Sequence, residues 1–359
     1  MHIALVFNLH EESVANDEPP AEPPGHSNAD IYADIYAEWD DIHTINAVAA
    51  ALATRHQVTL VNADLDAFEK LRDLKPELVF NIAEGLHGAS REAQMPALFE
   101  MQQLPYTGSD PVTLGLCLDK RRTKEILAHH RVPSPLFWVA NSVLELPQRL
   151  RYPLMVKPPL EGSSKGITDK ALVRNRKELH QQVEWVISTY RQSALVEEYL
   201  PGREFTVALL GNDADLRVLP LVEINFASLP PGGNPIYSFE AKWIWDTAAE
   251  PLQIFSCPAP LEPLLQRQIE EVCCRAFKAL GCRDWCRIDV RLDAAGHPQI
   301  IELNPLPGIL PRPEQNSCFP KAARAAGLNY TQLILSVVDA ACARLQLNQG
   351  DANEYRRLL

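Results

Sequence analysis

The sequence predicts an α/β protein divided into more than one lobe. Three observations predict it. Short apolar strands alternate with segments of helical period over the first hundred residues. A later pair of strands carries charged residues at every second position. The chain has 359 residues, more than one continuous core usually holds.

Composition narrows the class. Hydrophobic residues make up 46% of the chain, enough for a substantial core. The 29 prolines gather at apparent turns without a repeat, which excludes a collagen-like or linker chain. No apolar run reaches the roughly 20 residues that span a bilayer, so no membrane partner is expected. The opening MHIALVFNLHEE has no basic leader and no cleavage pattern, and reads as the first buried strand of a cytoplasmic protein. A formal charge of -12 argues against nucleic acid, whose phosphate backbone demands a basic surface. It leaves a nucleotide open, because a few lysines and a magnesium ion can hold one inside an acidic protein. Cys273, Cys274, Cys282 and Cys286 miss zinc-knuckle spacing and read as core thiols.

The elements follow in order. Residues 3–9 form a strand. The stretch from Glu11 to about Asp41 is rich in proline, and the first fifty residues hold ten Asp or Glu and no Lys or Arg. It is expected to be a surface excursion at an active-site edge. His43 to Thr54 has helical spacing, His56 to Val61 is a strand, Glu69 to Asp73 a helix, Glu77 to Asn81 a strand and Arg91 to Gln102 a helix. That alternation predicts a parallel sheet covered by helices. A second region opens with a helix from Asp119 to His130. It continues with the strand Pro153 to Pro158, a Gly/Ser loop, a helix from about Lys177 to Thr189 and a strand at Ala194 to Tyr199. The third has strands at Glu204 to Leu210, Trp285 to Leu292 and Gln299 to Leu303. Its helices are expected at Leu261 to Ala279 and Tyr330 to Leu345, ahead of a loose tail.

Two patterns carry chemistry. Along Arg287-Ile288-Asp289-Val290 and Ile301-Glu302-Leu303-Asn304, period two puts Arg287 with Asp289 and Glu302 with Asn304. Ile288, Val290, Ile301 and Leu303 are left for a buried face. The turn at Asp293 to Gly296 makes the strands antiparallel neighbours. Two carboxylates and an amide are hard oxygen ligands of the kind magnesium takes alongside phosphate oxygens. An exposed polar sheet face is the plainer alternative. Separately, Lys157 precedes Glu161-Gly162-Ser163-Ser164-Lys165-Gly166, a loop able to bring N–H groups and hydroxyls around phosphate. Its spacing is not that of a Walker A loop. Lys120 opens a helix, against the dipole preference, which suits a ligand-directed placement.

With these residues in view, the chain resembles the D-alanine–D-alanine ligase branch of the ATP-grasp superfamily, best from Phe80 to about Gly327. The matching segments are Pro105 to Ser109 with Leu118-Asp119-Lys120, Val156 to Gly166, Ala194 to Leu200, Gly202 to Val207, Phe239 to Lys242, Arg287 to Asp289 and Glu302 to Gly308. The resemblance implies a three-lobed ATP-grasp fold, an N-terminal parallel-sheet lobe plus two α+β lobes clasping ATP. Expected bounds are 1–115 for the substrate lobe, 116–203 for the central lobe, 204–345 for the catalytic lobe and 346–359 for the tail. It also implies ATP and Mg2+ (or Mn2+), small carboxylate and amine substrates, and a homodimer.

Roles implied by the resemblance follow residue by residue. Lys120 and Lys157 hold phosphate oxygens, Ser163 and Ser164 close over them, and Lys242 contacts the phosphate end. Glu197 accepts from the adenine amine, the backbone near Glu198 and Leu200 completes base recognition, and Glu204 binds the ribose. Asp289, Glu302 and Asn304 ligate metal, and Arg287 stabilises the developing charge. The reaction implied is formation of an acyl phosphate and its capture by an amine.

The substrate ends depart from the family pattern. Phe7 to Ser13 replaces a glycine- and serine-rich turn, leaving Glu11 or Glu12 for the first substrate's amino group. Asn81-Ile82-Ala83-Glu84-Gly85 replaces a Leu-His-Gly segment. The stretch after Gly308 is long, with Ser317 and Arg312 as candidates for the second substrate's carboxylate. These changes point to amino acids or peptide-like substrates other than D-alanine, and Glu84 suits a cationic group. D-alanine–D-alanine ligation itself and a non-catalytic ATP-binding regulator are the alternatives.

Overall fold

The structure, a computed structural model, describes residues 1–9, 39–85, 87–246 and 252–347. Glu11 and Glu12, most of the acidic stretch, and the tail beyond 347 lie outside the described residues.

The first sheet is parallel, with β1 (His2–Phe7) between β2 (Gln57–Asn62) and β3 (Leu78–Asn81). Helices α1 (Ile42–Ala53), α2 (Ala67–Leu74) and α3 (Arg91–Met101) connect and cover it. Covering both faces explains why β1 is an unbroken apolar run. Ile3, Leu5 and Phe7 enter one core, while Ala4 and Val6 enter another. Asp41 starts α1 by accepting the backbone N–H of Thr44 at 2.6 Å.

Two helices meet at Asp119, α4 (Pro111–Leu118) and α5 (Lys120–His129). The carboxylate of Asp119 accepts from the N–H groups of Arg121 and Arg122, so the second helix starts at Lys120. The sequence reading missed α4, although Asp110 followed by Pro111 is a helix-start signal. The second sheet is antiparallel, in the order β4 (Phe137–Ala140), β7 (Ala194–Glu198), β5 (Leu154–Lys157), β6 (Leu172–Val173). Helix α6 (Arg176–Tyr190) packs on its apolar face through Leu179, Val183 and Val186.

The third sheet is also antiparallel, in the order β11 (Phe255–Ser256), β10 (Val222–Ile224), β8 (Glu204–Leu210), β12 (Trp285–Leu292), β13 (Pro298–Asn304), with β9 (Arg217–Val218) beside β8. Helix α7 (Pro263–Leu280) lies behind it, and α8 (Cys318–Ala325) and α9 (Tyr330–Leu345) follow. Cys273, Cys282 and Cys286 are buried in the core between α7 and the sheet. One expectation fails at β13. Val290 pairs with Ile300 while Asp289 pairs with Glu302, so Ile301 is an extra residue in a β-bulge. Ile300 takes the buried place beside Leu303, and Ile301 turns to the cavity side. Among the described residues, no helix is long and apolar enough to cross a membrane.

The first and third sheets share a core. Trp285, fully buried, meets Phe80 and Phe319 edge-on at 5.8 Å and 5.9 Å. Beside it the buried Asp284 carboxylate accepts from Gly108 N at 2.8 Å, Asn212 Nδ2 at 2.8 Å, Arg344 Nε at 2.9 Å and Arg344 Nη2 at 2.7 Å. One side chain thus ties the segment after the first sheet, the β8–β9 connection and α9. Removing it takes that acceptor from four donor atoms, two of which keep a second one, Arg344 Nη2 on Tyr106 O and Asn212 Nδ2 on Ala340 O. Asp284→Ala is expected to cost about 3–5 kcal/mol, read as a lower urea midpoint at unchanged m-value.

Candidate functional site

Residues of the second and third sheets, with the segment after β3, line a cavity of about 310 Å³. Lys120, Lys157, Ser163, Ser164, Glu197, Glu198, Leu200, Glu204, Lys242, Arg287, Asp289, Glu302, Asn304, Ser317 and Glu84 all line it. Arg312 does not. It is exposed, on a turn where its backbone N–H donates to Gln315 Oε1 at 2.9 Å. That turn carries it away from the cavity, so the structure gives no support to its role as a carboxylate anchor.

The hairpin β12–β13 forms the acidic wall. Asp289 and Glu302 stand directly opposite each other, a costly pairing of like charges. Three cations offset it. Arg287 bonds Asp289 at 3.1 Å and 3.2 Å and reaches Glu302 at 3.8 Å, while Lys120 Nζ lies 3.2 Å from Glu302 Oε2. Burial works against the charged form of Glu302. Lys120, Lys157 and Arg287 outweigh it and hold that carboxyl well below the usual carboxylate range. For Asp289, burial dominates and pushes the carboxyl up against the pull of Arg287, with Glu302 adding to the rise. Asn304 Nδ2 sits 3.4 Å from Asp289 Oδ2. Two opposed carboxylates and an amide oxygen fit a divalent cation, which would relieve their repulsion. Among the described residues no three His, Cys, Asp or Glu make a complete cage. Magnesium fits such a set, since it takes one or two carboxylates and fills its shell with phosphate oxygens and water.

The basic wall comes from the second sheet. Glu197 on β7 has Lys157 Nζ at 3.0 Å on one oxygen and Lys124 Nζ at 3.1 Å on the other. The Lys124 contact is an ion pair, since its angle is poor for a hydrogen bond. Burial opposes the charge on Lys157, but Glu197 and Glu302 outweigh it and raise its pKa. The role implied for Glu197, accepting from an adenine amine, is therefore left to lone pairs the lysines do not use.

A loop closes over this end. Ser163, Ser164 and Gly166 have φ of 50°, 62° and 72°. A Cβ at Gly166 would lie 2.6 Å from Pro158 Cδ, so the turn needs glycine there. Ser164 Oγ donates to Tyr237 O at 3.0 Å, and Lys242 Nζ to Ser163 Oγ at 3.4 Å, joining the second sheet's loop to the third region.

Toward β8, burial raises the pKa of Glu204 while Arg291, 2.9 Å away, opposes the rise. Arg291 also donates to Tyr199 OH and Pro235 O, both at 2.8 Å. Its guanidinium lies 4.8 Å from the Tyr199 ring centroid and 4.9 Å from that of Phe226. The sequence reading passed over Arg291 and Lys124. Arg291 is the next same-face residue after Arg287 and Asp289, and Lys124 stands one helical turn after Lys120, so spacing alone pointed to both.

The far end is built by the first lobe and the segment after Gly308. Gly85 N donates to Asn8 Oδ1 at 2.8 Å, and a Cβ on Gly85 would meet Arg91 O at 2.0 Å, which sets Glu84 at the rim. Trp39 and Asp40 also line this end. Burial, with Asp41 beside it, pushes the Asp40 carboxyl up to about 7. Ser317 Oγ donates to Gly308 O at 3.0 Å and accepts from Leu310 N at 3.2 Å, closing its own loop.

Comparisons with known proteins bear on the family and the fold. A family model described as D-ala D-ala ligase C-terminus matches residues 137–339. An uncharacterized protein of Sinorhizobium fredii, y4sG, is 35% identical over 355 residues, 96% of this chain and 98% of its own. The D-alanine–D-alanine ligase of Bordetella petrii is 37% identical over 262 residues, 72% of this chain and 74% of its own. A crystal structure of D-alanine–D-alanine ligase from Bacillus anthracis complexed with ATP superposes with a TM-score of 0.70 at 21% identity. It covers 96% of this chain and 98% of that one, and at this identity the likeness shows the fold.

Burial, with Arg287 adding to it, lowers the pKa of Lys242 to about 8. A lysine with a depressed pKa is cationic below that value and neutral above it. ADP affinity without divalent metal is therefore expected to fall as pH rises through about 8, and to fall less steeply in Lys242→Arg, where Lys124 with its own pKa of about 8 still titrates. Calorimetric titration across pH checks this. A fall as steep in the arginine variant as in the wild type overturns a phosphate contact for Lys242.

Proposed function

We infer the reaction from kinship: the chain belongs to the D-alanine–D-alanine ligase family of ATP-grasp proteins, and its activity is that of an ATP-dependent carboxylate–amine ligase. Its substrates are amino acids or amino-acid-like molecules other than D-alanine, joined through an acyl phosphate. The observation that carries this reading is the convergence of Lys120, Lys157, Arg287, Asp289, Glu302 and Asn304 on one cavity.

The residues divide the work. Lys120 and Lys157 hold phosphate oxygens, and Lys242 with Ser163 and Ser164 holds the terminal phosphate. Glu204 binds the ribose, and the backbone of Glu198 to Leu200 meets the base, with Glu197 beside it. Asp289, Glu302 and Asn304 hold magnesium, which when bound neutralises phosphate charge. A substrate carboxylate attacks the γ-phosphoryl group in line as its bond to the β-phosphate breaks and ADP leaves, and the amine then displaces phosphate from the activated carbonyl and gives up a proton. Arg287 steadies the negative charge that develops on the carbonyl oxygen. The loop Glu161 to Gly166 keeps water from the acyl phosphate. Glu84 faces the first substrate and Ser317 the second. The working units are residues 1–115, 116–203 and 204–345, with 346–359 as a tail. Kinship also supports a homodimer and a cytoplasmic setting.

D-alanine–D-alanine ligation is the second reading, favoured by the 37% identity to the Bordetella petrii enzyme. Against it stands the extent of that match, 72% of this chain, compared with 96% for the uncharacterized rhizobial protein. The two are separated by incubating the purified chain with ATP, Mg2+ and amino acids singly and in pairs, D-alanine included. Phosphate release and product mass are read together. A condensed product from a pair other than D-alanine is expected. D-alanyl-D-alanine as the sole product selects the second reading, and no product with any pair sinks both. Asp289→Asn is expected to lower turnover at least roughly a hundredfold, the scale of losing one preorganised charge contact.

A further inference from the structure

We propose that Lys124 is a positioning residue of the phosphate site, taking one oxygen of Glu197 so that Lys157 keeps a net positive charge for a polyphosphate. The inference rests on the ATP-dependent reading and deepens it.

Lys124 has no solvent exposure, and it is not part of the cavity wall. It therefore cannot touch a nucleotide directly. It projects from α5 one turn after Lys120, which does reach the wall. Between Lys124 and Lys157 stands a single carboxylate, Glu197, with one oxygen toward each ammonium. Glu197 faces Met155 across the strands, so Lys157, two residues on, is its diagonal neighbour on the same face. Glu302, another carboxylate that acts on Lys157, has Lys120 at 3.2 Å and Arg287 at 3.8 Å.

Charge counting gives the consequence. Glu197 alone with Lys157 would make a closed neutral pair, and a phosphate oxygen would have to compete with a buried carboxylate. Adding Lys124 gives the trio one excess positive charge. Lys124 is walled in, so that excess is expressed where Lys157 meets the cavity. Burying an ammonium is costly, and burial lowers the pKa of Lys124 to about 8 even with Glu197 beside it. An apolar side chain of similar length would pack at lower cost. A packing role alone does not account for a lysine here.

The experiment is calorimetric binding of ATP, ADP, AMP and adenosine to the full-length chain and its variants, without amino-acid substrates. Lys124→Met is expected to weaken ATP and ADP roughly 10- to 100-fold, the scale of one charge acting over several ångströms at an effective dielectric near 20. Adenosine should change far less. Lys124→Arg keeps the charge and should recover most of the ratio of ATP to adenosine affinity. Equal weakening of all four ligands, or none, overturns the proposal. Should Lys124→Met fail to fold, the double variant Lys124→Met with Glu197→Gln decides. It removes the buried carboxylate along with its partner, so the ratio should return toward wild type, and a ratio that stays low overturns the proposal. Failure of the wild-type chain to bind ATP removes the underlying reading instead, and is seen before any substitution is made.

Discussion

Two carboxylates, Asp289 and Glu302, face each other across a buried hairpin, and the rest of the site is arranged around that repulsion. Neither strand can relieve it alone, because the residues on their far faces, Ile288, Val290, Ile300 and Leu303, anchor the sheet in its core. Arg287 supplies part of the compensation from the same strand, and the rest arrives from other segments, Lys120 from the start of a helix and Lys157 from a strand of the second sheet. The pair of acids therefore makes the meeting of the lobes an electrostatic requirement, and it is also what makes the cavity fit for a divalent cation and a polyphosphate.

Rigid and closable parts are separated in this design. The bulge at Ile301 re-aims β13 at the point where its acids face the cavity, on a strand backed by core residues. The Ser163–Gly166 turn is held in left-handed conformations by hydrogen bonds across to Tyr237 and Lys242. The Glu161–Gly166 loop is tied by polar contacts, to Lys120, Gln192, Tyr237 and Lys242, whereas the hairpin beneath it is backed by core residues. That division suits chemistry in which reactive carbonyl and phosphate groups must be admitted, shut from water and released.

Much of the candidate site could be read in the chain, for a reason visible at particular residues. Arg287, Asp289, Glu302 and Asn304 obey the two-residue period of a strand, and a short turn between strands leaves little freedom in how they pair. Lys120 was marked by its odd place at a helix start. The reading stopped short at Arg291 and Lys124, where the same periodicities run one step further. It went astray at Ile301, because a bulge breaks alternation without a sequence mark, while Arg312 stands exposed on a turn outside the cavity lining.

The sequence by itself determined much of the local order: the longer strands and most helices, the shared faces of Arg287 with Asp289 and Glu302 with Asn304, and the run of motifs that marks the family. Periodicity, capping and turn chemistry act over a few residues, so they are written in adjacent positions. Only the tertiary structure decided that Glu197 is shared by two lysines, that Arg291 lies between Tyr199 and Phe226 beside Glu204, and that Asp40 and Glu84 line the same cavity. Those pairings join residues far apart in the chain. They depend on how separate sheets dock to compensate buried charge, a condition that no single segment contains.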